Sequence, residues 1–182
     1  MTASPTCRLR RLHSDDVVTV EAVLELNDRW VPHVGPLTRE RLVRILDAAA
    51  FAVVAESAAA SSVLPRLAGF IVALGPGADY DSPNYRWFET RLDEGRAPGA
   101  FRYVDRIAVS PDVQGTGVGR CLYEATFADA SVAGAAEVTC EVNLDPPNPD
   151  SQAFHTRMAF GEVGRQWTYD HTVEVQLLAR RL

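Results

Sequence analysis

Three glycines alternate within five residues of the segment Val109 to Arg120, which reads VSPDVQGTGVGR. An apolar strand pattern precedes this segment and a helical pattern follows it. A strand that turns through glycines into a helix can point several backbone N–H groups at one spot, and such a spot binds anions. The segment therefore predicts a site for a phosphate or pyrophosphate, to which the Arg120 guanidinium adds charge. The glycines alone allow a plain turn that caps the helix equally well.

The spacing of these glycines excludes two familiar phosphate-binding motifs. A dinucleotide site requires G-x-G-x-x-G in a first βαβ unit, with an acidic residue about 20 positions later. A P-loop requires G-K-[ST], and this chain has no lysine, because all 18 of its basic residues are arginine. The pattern that is present is Q-x-x-G-x-G, formed by Gln114, Gly117 and Gly119.

A second element follows a predicted strand that ends at Val142. The run from Asn148 to Phe160, NPDSQAFHTRMAF, resembles the N-x-x-A-x-x-x-Y-x-x-x-G-F segment of the GNAT (general-control-type N-acetyltransferase) superfamily, and Q-x-x-G-x-G resembles that family's pyrophosphate motif. Together the two elements cover about a third of the chain, in the family's order. The helices and hairpin predicted upstream of them also follow that order.

The resemblance implies acetyl-CoA as co-substrate and an acyl-CoA-binding core over residues 104–160. In the family the fourth and fifth strands splay apart, and the pantetheine arm pairs with the backbone of the fourth strand. Carried over, the backbone contacts to pantetheine fall on Ile107, Ala108 and Val109. The pyrophosphate contacts fall on Gln114, Gly115, Thr116, Gly117, Val118, Gly119 and Arg120. Asn148, Ser151 and Phe154 are expected along the cofactor, although Asn148 before Pro149 is also typical of a helix N-cap.

Three positions depart from the family pattern. Ser151 stands where the family has Ala, and Ala159 replaces the Gly before Phe160, which only stiffens the turn if φ is negative. His155 stands where many members have the Tyr that is proposed to protonate the leaving thiolate. A histidine with a pKa near 6.5 is the better acid, so His155 is a candidate for that role, with simple packing as the alternative.

Acyl transfer to an amine also needs a group that takes a proton from the nucleophile. Asp105 is the first candidate, because on a regular strand it shares a face with Ile107 and Val109. The alternative is a solvated carboxylate or one paired with Arg106. Glu141 and Asn143 on the facing strand are second candidates for this base and are also expected to bind the acceptor. The polar residues of an aromatic-rich connection, Asn84, Tyr85 and Arg86, are further candidates for binding the acceptor.

The rest of the sequence predicts one domain, 1–182, with a mixed α/β fold. Strands are expected at 7–12, 51–55, 67–74, 101–109, 136–142, 160–168 and 172–180, with a turn at 57–62. Helices are expected from an N-cap at Ser14 to about Arg29, after an N-cap at Thr38, within 76–99, and at 117–130 and 149–158. With the resemblance, this predicts a mostly antiparallel central sheet of about seven strands with helices on both faces.

The composition of the chain limits the binding partners and the cellular location that can be expected for it. The net charge of −6 opposes a nucleic-acid partner, which needs a basic face. The longest apolar stretch is too short for a membrane span, and no secretory signal is visible. The three cysteines have neither the pairing of a disulfide framework nor the spacing of a metal site. They therefore predict reduced, inert thiols in a cytoplasmic protein, and no metal site. A homodimer stays open.

These observations predict an N-acetyltransferase that moves an acetyl group from acetyl-CoA to a primary amine, with a small-molecule acceptor favoured by the acidic balance. The alternative is an acyl-CoA-binding sensor or regulatory module without efficient catalysis, since the cofactor residues are clearer than the catalytic ones. The acceptor itself is not specified by the sequence.

Overall fold

The computed structural model describes residues 7–31, 33–56, 67–168 and 171–182. Its strands are β1 Arg8–Arg11, β2 Phe51–Glu56, β3 Leu67–Leu74, β4 Phe101–Val109, β5 Glu137–Asp145, β6 Gly161–Thr168 and β7 Val173–Arg181. Its helices are α1 Val17–Asp28, α2 Arg39–Ala48, α3 Pro83–Asp93, α4 Val118–Val132 and α5 Pro149–Arg157. The turn expected at 57–62 lies outside the described residues. Within them, every helix is too short or too polar to cross a membrane.

The strands of the described residues form one seven-stranded sheet in the order β1-β2-β3-β4-β5-β7-β6. The pairs β1–β2, β2–β3, β5–β7 and β6–β7 are antiparallel, and β4–β5 is parallel. This confirms the predicted mixed, mostly antiparallel sheet. The register of the β4–β5 ladder runs from Phe101↔Glu137 to Tyr103↔Thr139, whereas β4 continues to Val109 and β5 to Asp145. On its other edge, β5 pairs with β7 along its whole length, from Glu137 to Asp145.

The chain divides into two compact units. The first holds the described residues of Met1–Ala73 together with Arg106–Thr126. Its inner strands β2 and β3 are mostly apolar, and β3 is buried from Ala68 to Leu74, whereas β1 carries three arginines. From α2, Leu42, Ile45 and Leu46 are buried, at the three-and-four spacing of one helix face.

The second unit consists of Leu74–Asp105 and Phe127–Leu182. An aromatic cluster packs α3 against the first half of β4, with ring centroids 5.6 Å apart for Tyr85 and Tyr103 and 6.2 Å apart for Phe88 and Phe101. A buried ion pair between Arg91 of α3 and Glu137 of β5 lies beneath this cluster. Removing one partner of such a pair costs roughly 3–5 kcal/mol, because the other charge stays buried.

The N-cap of the first helix is Asp16, so the prediction of Ser14 was wrong. Asp16 accepts a hydrogen bond from the Thr19 N–H at 3.1 Å, and bonds from Thr19 and Arg10 lower the pKa of its carboxyl to about 2. The Ser14 hydroxyl donates instead to Asp47, 33 residues away, a partner that only the tertiary structure supplies. The second predicted cap is confirmed, because Thr38 Oγ1 accepts from the Arg41 N–H.

The expectation of three reduced thiols was wrong for two of them. Cys7 and Cys121 form a disulfide across 114 residues of sequence, with Cα atoms 6.8 Å apart. Cys140 is a buried free cysteine of β5. The spacing of the cysteines in the sequence did not predict this pair, because the two residues lie 114 positions apart.

The disulfide gives a direct prediction. Alkylation of the unfolded, unreduced protein should label one thiol, and labelling after reduction should rise to three by mass spectrometry. Reduction should lower the free energy of unfolding by about 2–4 kcal/mol, since the loop that the bond closes is long. Cys7→Ser should reproduce that loss and be insensitive to reductant; three thiols labelled without reductant would contradict the bond.

Candidate active site

The loop that follows β4 has the geometry that its glycines predicted. A short 3-10 helix, Pro111–Val113, comes first, and α4 begins at Val118. Between them Gly115 has φ 74° and Gly117 has φ 94°, in the left-handed region that strongly favours glycine. The first N–H groups of any α-helix have no partner within that helix, so the start of α4 presents N–H donors beside an exposed, glycine-shaped loop.

The loop is held by its own residues. Thr116 donates two hydrogen bonds to the Val113 carbonyl, one from its hydroxyl at 2.7 Å and one from its backbone N–H at 3.3 Å. The Val113 N–H in turn donates to the Ser110 carbonyl at 3.0 Å. A preformed loop loses less conformational entropy on binding an anion than a loop that must first fold.

A close approach in the first unit fixes where the loop begins. A Cβ added to Gly69 of β3 would lie 2.8 Å from the Ala108 carbonyl oxygen and 3.2 Å from the side chains of Val118 and Leu122. The Ser110 N–H donates to the Ala68 carbonyl at 2.8 Å beside it. Only glycine at position 69 lets the end of β4 and the first turns of α4 pack this tightly.

Two further contacts anchor the end of β4. The indole N–H of Trp30 donates to the Val109 carbonyl at 2.9 Å, and buried Arg106 donates to Asn27 Oδ1 at 3.1 Å. The Val109 carbonyl thus has an internal partner in the unliganded protein. The cofactor role predicted for the backbone of Ile107, Ala108 and Val109 stays a prediction.

The side chains predicted to surround the pyrophosphate are accessible apart from that of Val118, which is buried. Gln114, Gly115, Thr116 and Arg120 are exposed. Arg120 lies 3.9 Å from Glu124 one turn later, a surface pair that contributes little and leaves its charge near the loop.

In the second unit each candidate carboxylate is bonded to a tyrosine hydroxyl. Tyr80 donates to Asp105 Oδ1, and Tyr103 donates to Glu141 Oε1 at 3.0 Å. Asp105 is half-buried and alternates with buried Val104 and Arg106, so the predicted strand face is present. Asp105 and Arg106, neighbours in sequence, therefore point to opposite faces of β4.

Tyr103 is a hydrogen-bond donor rather than a proton source. Burial, followed by the charges of Glu141 and Asp105, raises the pKa of Tyr103 well above its usual value. A thiol ionises with a pKa near 8.5, so this phenol is far too weak an acid to protonate a leaving thiolate efficiently. It remains neutral and donates to Glu141.

The candidate acceptor residues of α3 occupy three different environments. Asn84 is buried and its Oδ1 accepts from Gln166 of β6 at 2.5 Å, while Arg86 is exposed. Tyr85 is buried, and its hydroxyl donates to the Gly75 carbonyl and accepts from the Ala78 N–H, both at 2.8 Å. Burial raises the pKa of Tyr85 to about 12. Their roles in acceptor binding stay predictions.

The start of α5 confirms the N-cap interpretation of Asn148. Its Oδ1 accepts from the Ser151 N–H at 3.2 Å, with Pro149 at the first helical position. The Asn143 carbonyl, at the end of β5, accepts from the Asn148 N–H and from Gln152 Nε2. These bonds tie the strand to the helix. Contacts of Asn148, Ser151 and Phe154 with the cofactor, and of the Asn143 side chain with the acceptor, stay predictions.

His155 is a buried ring whose tautomer is fixed by its surroundings. Its Nδ1 lies 2.8 Å from the Ser151 carbonyl, which can only accept, so Nδ1 carries the proton in the neutral ring. Phe154 and Phe160 pack edge-on at centroid distances of 5.3 Å. Burial lowers the pKa of His155, so the neutral form dominates at pH 7. The leaving-group role stays a prediction, and the environment favours packing.

Ala159 has φ 62°, so the family's glycine position keeps its left-handed conformation here. The Phe160 N–H donates to the His155 carbonyl and the Ala159 N–H to the Thr156 carbonyl, both at 3.0 Å. This is the bonding of a helix end that normally uses glycine. An alanine there strains the turn rather than simply stiffening it.

Four residues that the sequence analysis did not single out shape the site: Trp30, Gly69, Tyr80 and Tyr103. Tyr80 had a weak signal, because it lies in the run Asp79-Tyr80-Asp81-Ser82 before a proline-started helix. The others look like ordinary core residues until their partners are known. The described residues hold no group of three or more side chains suited to a metal ion.

Comparison with known proteins identifies the class. The model of the acetyltransferase (GNAT) family matches residues 25–160, well over half of the chain, so the protein belongs to that family. The predicted enzyme class, an acyl-CoA-dependent N-acyltransferase, is thereby confirmed. No curated protein sequence matches the chain at a significant level.

Solved structures share the fold over nearly the whole chain. NAA60 of Arabidopsis thaliana, in complex with acetyl-CoA, has a TM-score of 0.73 at 17% identity, covering 97% of this chain and 99% of that one. The ribosomal-protein-S18-alanine N-acetyltransferase of Escherichia coli has a TM-score of 0.65 at 16% identity, with 97% and 94% covered. The IAA acetyltransferase of Bacillus cereus gives 0.63 at 14% identity, with 97% and 100% covered. At these identities the likeness establishes the fold.

The buried neutral imidazole predicts a dependence of stability on pH. The pKa of His155 is lowered by folding, so the unfolded chain binds more protons and stability falls as pH drops below about 6.5. Thermal melts between pH 7.5 and 5.5 should show this slope. His155→Phe keeps the ring packing and should flatten it, whereas His13→Gln, at an exposed histidine, should not. Equal slopes in all three proteins would contradict the assignment.

Proposed function

We propose that the protein transfers an acetyl group from acetyl-CoA to the primary amine of a small molecule, by direct attack in a ternary complex. The observation that carries the proposal is the course of β4. This strand bears Asp105, and the glycine loop follows directly after its last residue, Val109. Family membership supports the acetyl donor.

The glycine loop and the start of α4 bind the pyrophosphate of acetyl-CoA. Two of the similar structures contain CoA or acetyl-CoA, namely the NatC complex bound to Gag peptide and CoA, and NAA60. Backbone N–H groups in the second half of β4 stabilise the oxyanion that forms on the thioester carbonyl. The residues predicted from the sequence, Gln114 to Arg120, supply this binding through backbone geometry more than through charge.

The reaction needs an amine with a free lone pair. A carboxylate, Asp105 first and Glu141 second, takes a proton from the acceptor's ammonium group. The amine nitrogen then attacks the thioester carbon, and the carbon–sulfur bond breaks as the electron pair moves to sulfur. CoA leaves as a thiolate, and a water molecule relays the second proton of the attacking nitrogen to its sulfur, which gives the neutral amide and the thiol. Tyr103 and Tyr85 are too weakly acidic to supply that proton, and buried His155 is neutral.

Direct transfer is supported by the state of the cysteines. Among the described residues, Cys140 is buried within β5, and Cys7 and Cys121 are joined in a disulfide. None of these three offers an exposed thiolate for an acyl-enzyme. A small cationic acceptor is favoured by the net charge of −6. A cytoplasmic location is proposed without support from the cysteines, because a disulfide is uncommon in that reducing compartment.

An acyl-CoA sensor without efficient catalysis is the second candidate. The observation in its favour is His155, which takes the family's tyrosine position as a buried, neutral ring. Turnover of acetyl-CoA with a panel of amines separates the two candidates. The panel should include small amines and peptides with free N-termini, since NAA60 and the S18-alanine enzyme are among the similar structures.

The cofactor site has a specific test. Acetyl-CoA should raise the melting temperature, because a ligand present at 100 times its Kd adds about 2.7 kcal/mol to the stability. Gly117→Ala should abolish that shift, since it places a methyl group in the loop at φ 94°. Gly95→Ala is the matched control, because Gly95 also has positive φ, 68°, in open space outside the loop. It should lose stability and keep the shift; a normal shift in Gly117→Ala would place the cofactor elsewhere.

The base is tested by removing one carboxylate at a time. Asp105→Asn should lower turnover on the order of a hundredfold, because an amide cannot accept the ammonium proton. The acetyl-CoA-induced melting shift should stay near wild type. Glu141→Gln should have the smaller effect on turnover at saturating acetyl-CoA. If Glu141→Gln lowered turnover more than Asp105→Asn, the proton-accepting base would be Glu141.

A further inference from the structure

The hydroxyl of Tyr80 donates to Asp105 Oδ1 across 25 residues of sequence. Tyr80 lies in the connection between β3 and α3, and both side chains are half-buried. A phenol bonded to one oxygen of a carboxylate fixes the orientation of that carboxylate. It also stabilises the ionised form, because the hydrogen bond is stronger when the acceptor is charged.

The position of Tyr80 is set independently of Asp105. The Tyr80 N–H donates to the Ala78 carbonyl at 2.8 Å, and the ring packs edge-on against Tyr85 at 5.8 Å. The Tyr85 hydroxyl in turn binds both ends of the segment 75–78, because it donates to the Gly75 carbonyl and accepts from the Ala78 N–H. Helix α3 therefore holds the Tyr80 hydroxyl in place.

We infer that Tyr80 is a positioning residue for the proton-accepting carboxylate. It binds Asp105 Oδ1 and turns Oδ2 toward the acceptor's ammonium group. This inference rests on the proposed function and adds to it a residue outside the family motifs. The ammonium proton passes to Oδ2, and the O–H of Tyr80 stays on its own oxygen throughout.

Among the described residues, the titratable groups near Asp105 include Tyr103 and Glu141. From β4, Tyr103 lies on the same face, and from β5, Glu141 accepts the Tyr103 hydroxyl. Both carboxylates contribute to the electrostatics at Tyr103, as does Tyr80. Arg106 lies on the opposite face of the strand, bonded to Asn27. Asp105 and Glu141 thus accept hydrogen bonds from different tyrosines, Tyr80 and Tyr103. Replacing either tyrosine by phenylalanine removes only its hydroxyl, so the effects of the two substitutions can be compared.

Tyr80→Phe removes one hydroxyl and keeps the ring. We expect kcat to fall about tenfold with an unchanged KM for acetyl-CoA, as for a lost charge-assisted hydrogen bond. A purely structural role for Tyr80 would instead lower the melting temperature and cost the same factor in kcat whether or not Asp105 is present.

Two companion variants make the result decisive. In the Asp105→Asn background, Tyr80→Phe should cost less than twofold in kcat, since Tyr80 acts through Asp105. Equal tenfold losses in both backgrounds would overturn the inference. Tyr103→Phe makes the same change at Glu141, and a fall in kcat in this variant but not in Tyr80→Phe would also overturn it.

Failure of the inference is distinguishable from failure of the proposed function. A wild-type kcat in Tyr80→Phe would refute the role of Tyr80 alone. Near-normal turnover of Asp105→Asn would refute both the base and its positioning residue. Absence of turnover and of any melting shift with acetyl-CoA in the wild-type protein would refute the function itself.

Discussion

The contact between Gly69 and the Ala108 carbonyl is the constraint on which the first unit depends. With a hydrogen in place of a side chain, β3 allows the end of β4 and the side chains of Val118 and Leu122 to pack against one point. That packing fixes the first turn of α4 at the end of the glycine loop. The anion-binding geometry is therefore a consequence of core packing beneath the loop as much as of the loop's own glycines. An alanine at position 69 would have to displace backbone, which close-packed interiors resist.

In the second unit the recurring interaction is a tyrosine hydroxyl on a carboxylate. A partly buried carboxylate is costly unless donors satisfy it, and Tyr80 and Tyr103 supply such donors to Asp105 and Glu141. Because the pKa of Tyr103 is raised, it donates without giving up its proton. The described site is consequently better equipped to accept a proton from an amine than to give one to a thiolate. A thiolate is a tolerable leaving group near neutral pH, so this asymmetry suits transfer from a thioester.

In helix α5 and the turn after it, residues that match the family pattern also stabilise the ends of the helix. Asn148 caps the helix, the carbonyl of Ser151 fixes the His155 tautomer, and Ala159 ends the helix in the left-handed conformation that its relatives assign to glycine. The buried histidine fills the space between Phe154 and Phe160. A polar ring in this place costs little, because its N–H has a carbonyl partner and the ring is neutral.

The sequence by itself determined the class of fold, the family and the boundaries of most elements, including β3 and β4 to the residue. Periodicity, caps and glycine spacing are local properties, so a linear pattern records them. Asp105, Gln114 and Asn148 were proposed as site residues from such patterns. The tertiary structure alone decided the disulfide, the bond of Trp30 to Val109 and the pairing of each carboxylate with its tyrosine. Those contacts join residues 25 to 114 positions apart, and their free energy depends on burial and geometry that exist only after the chain has folded.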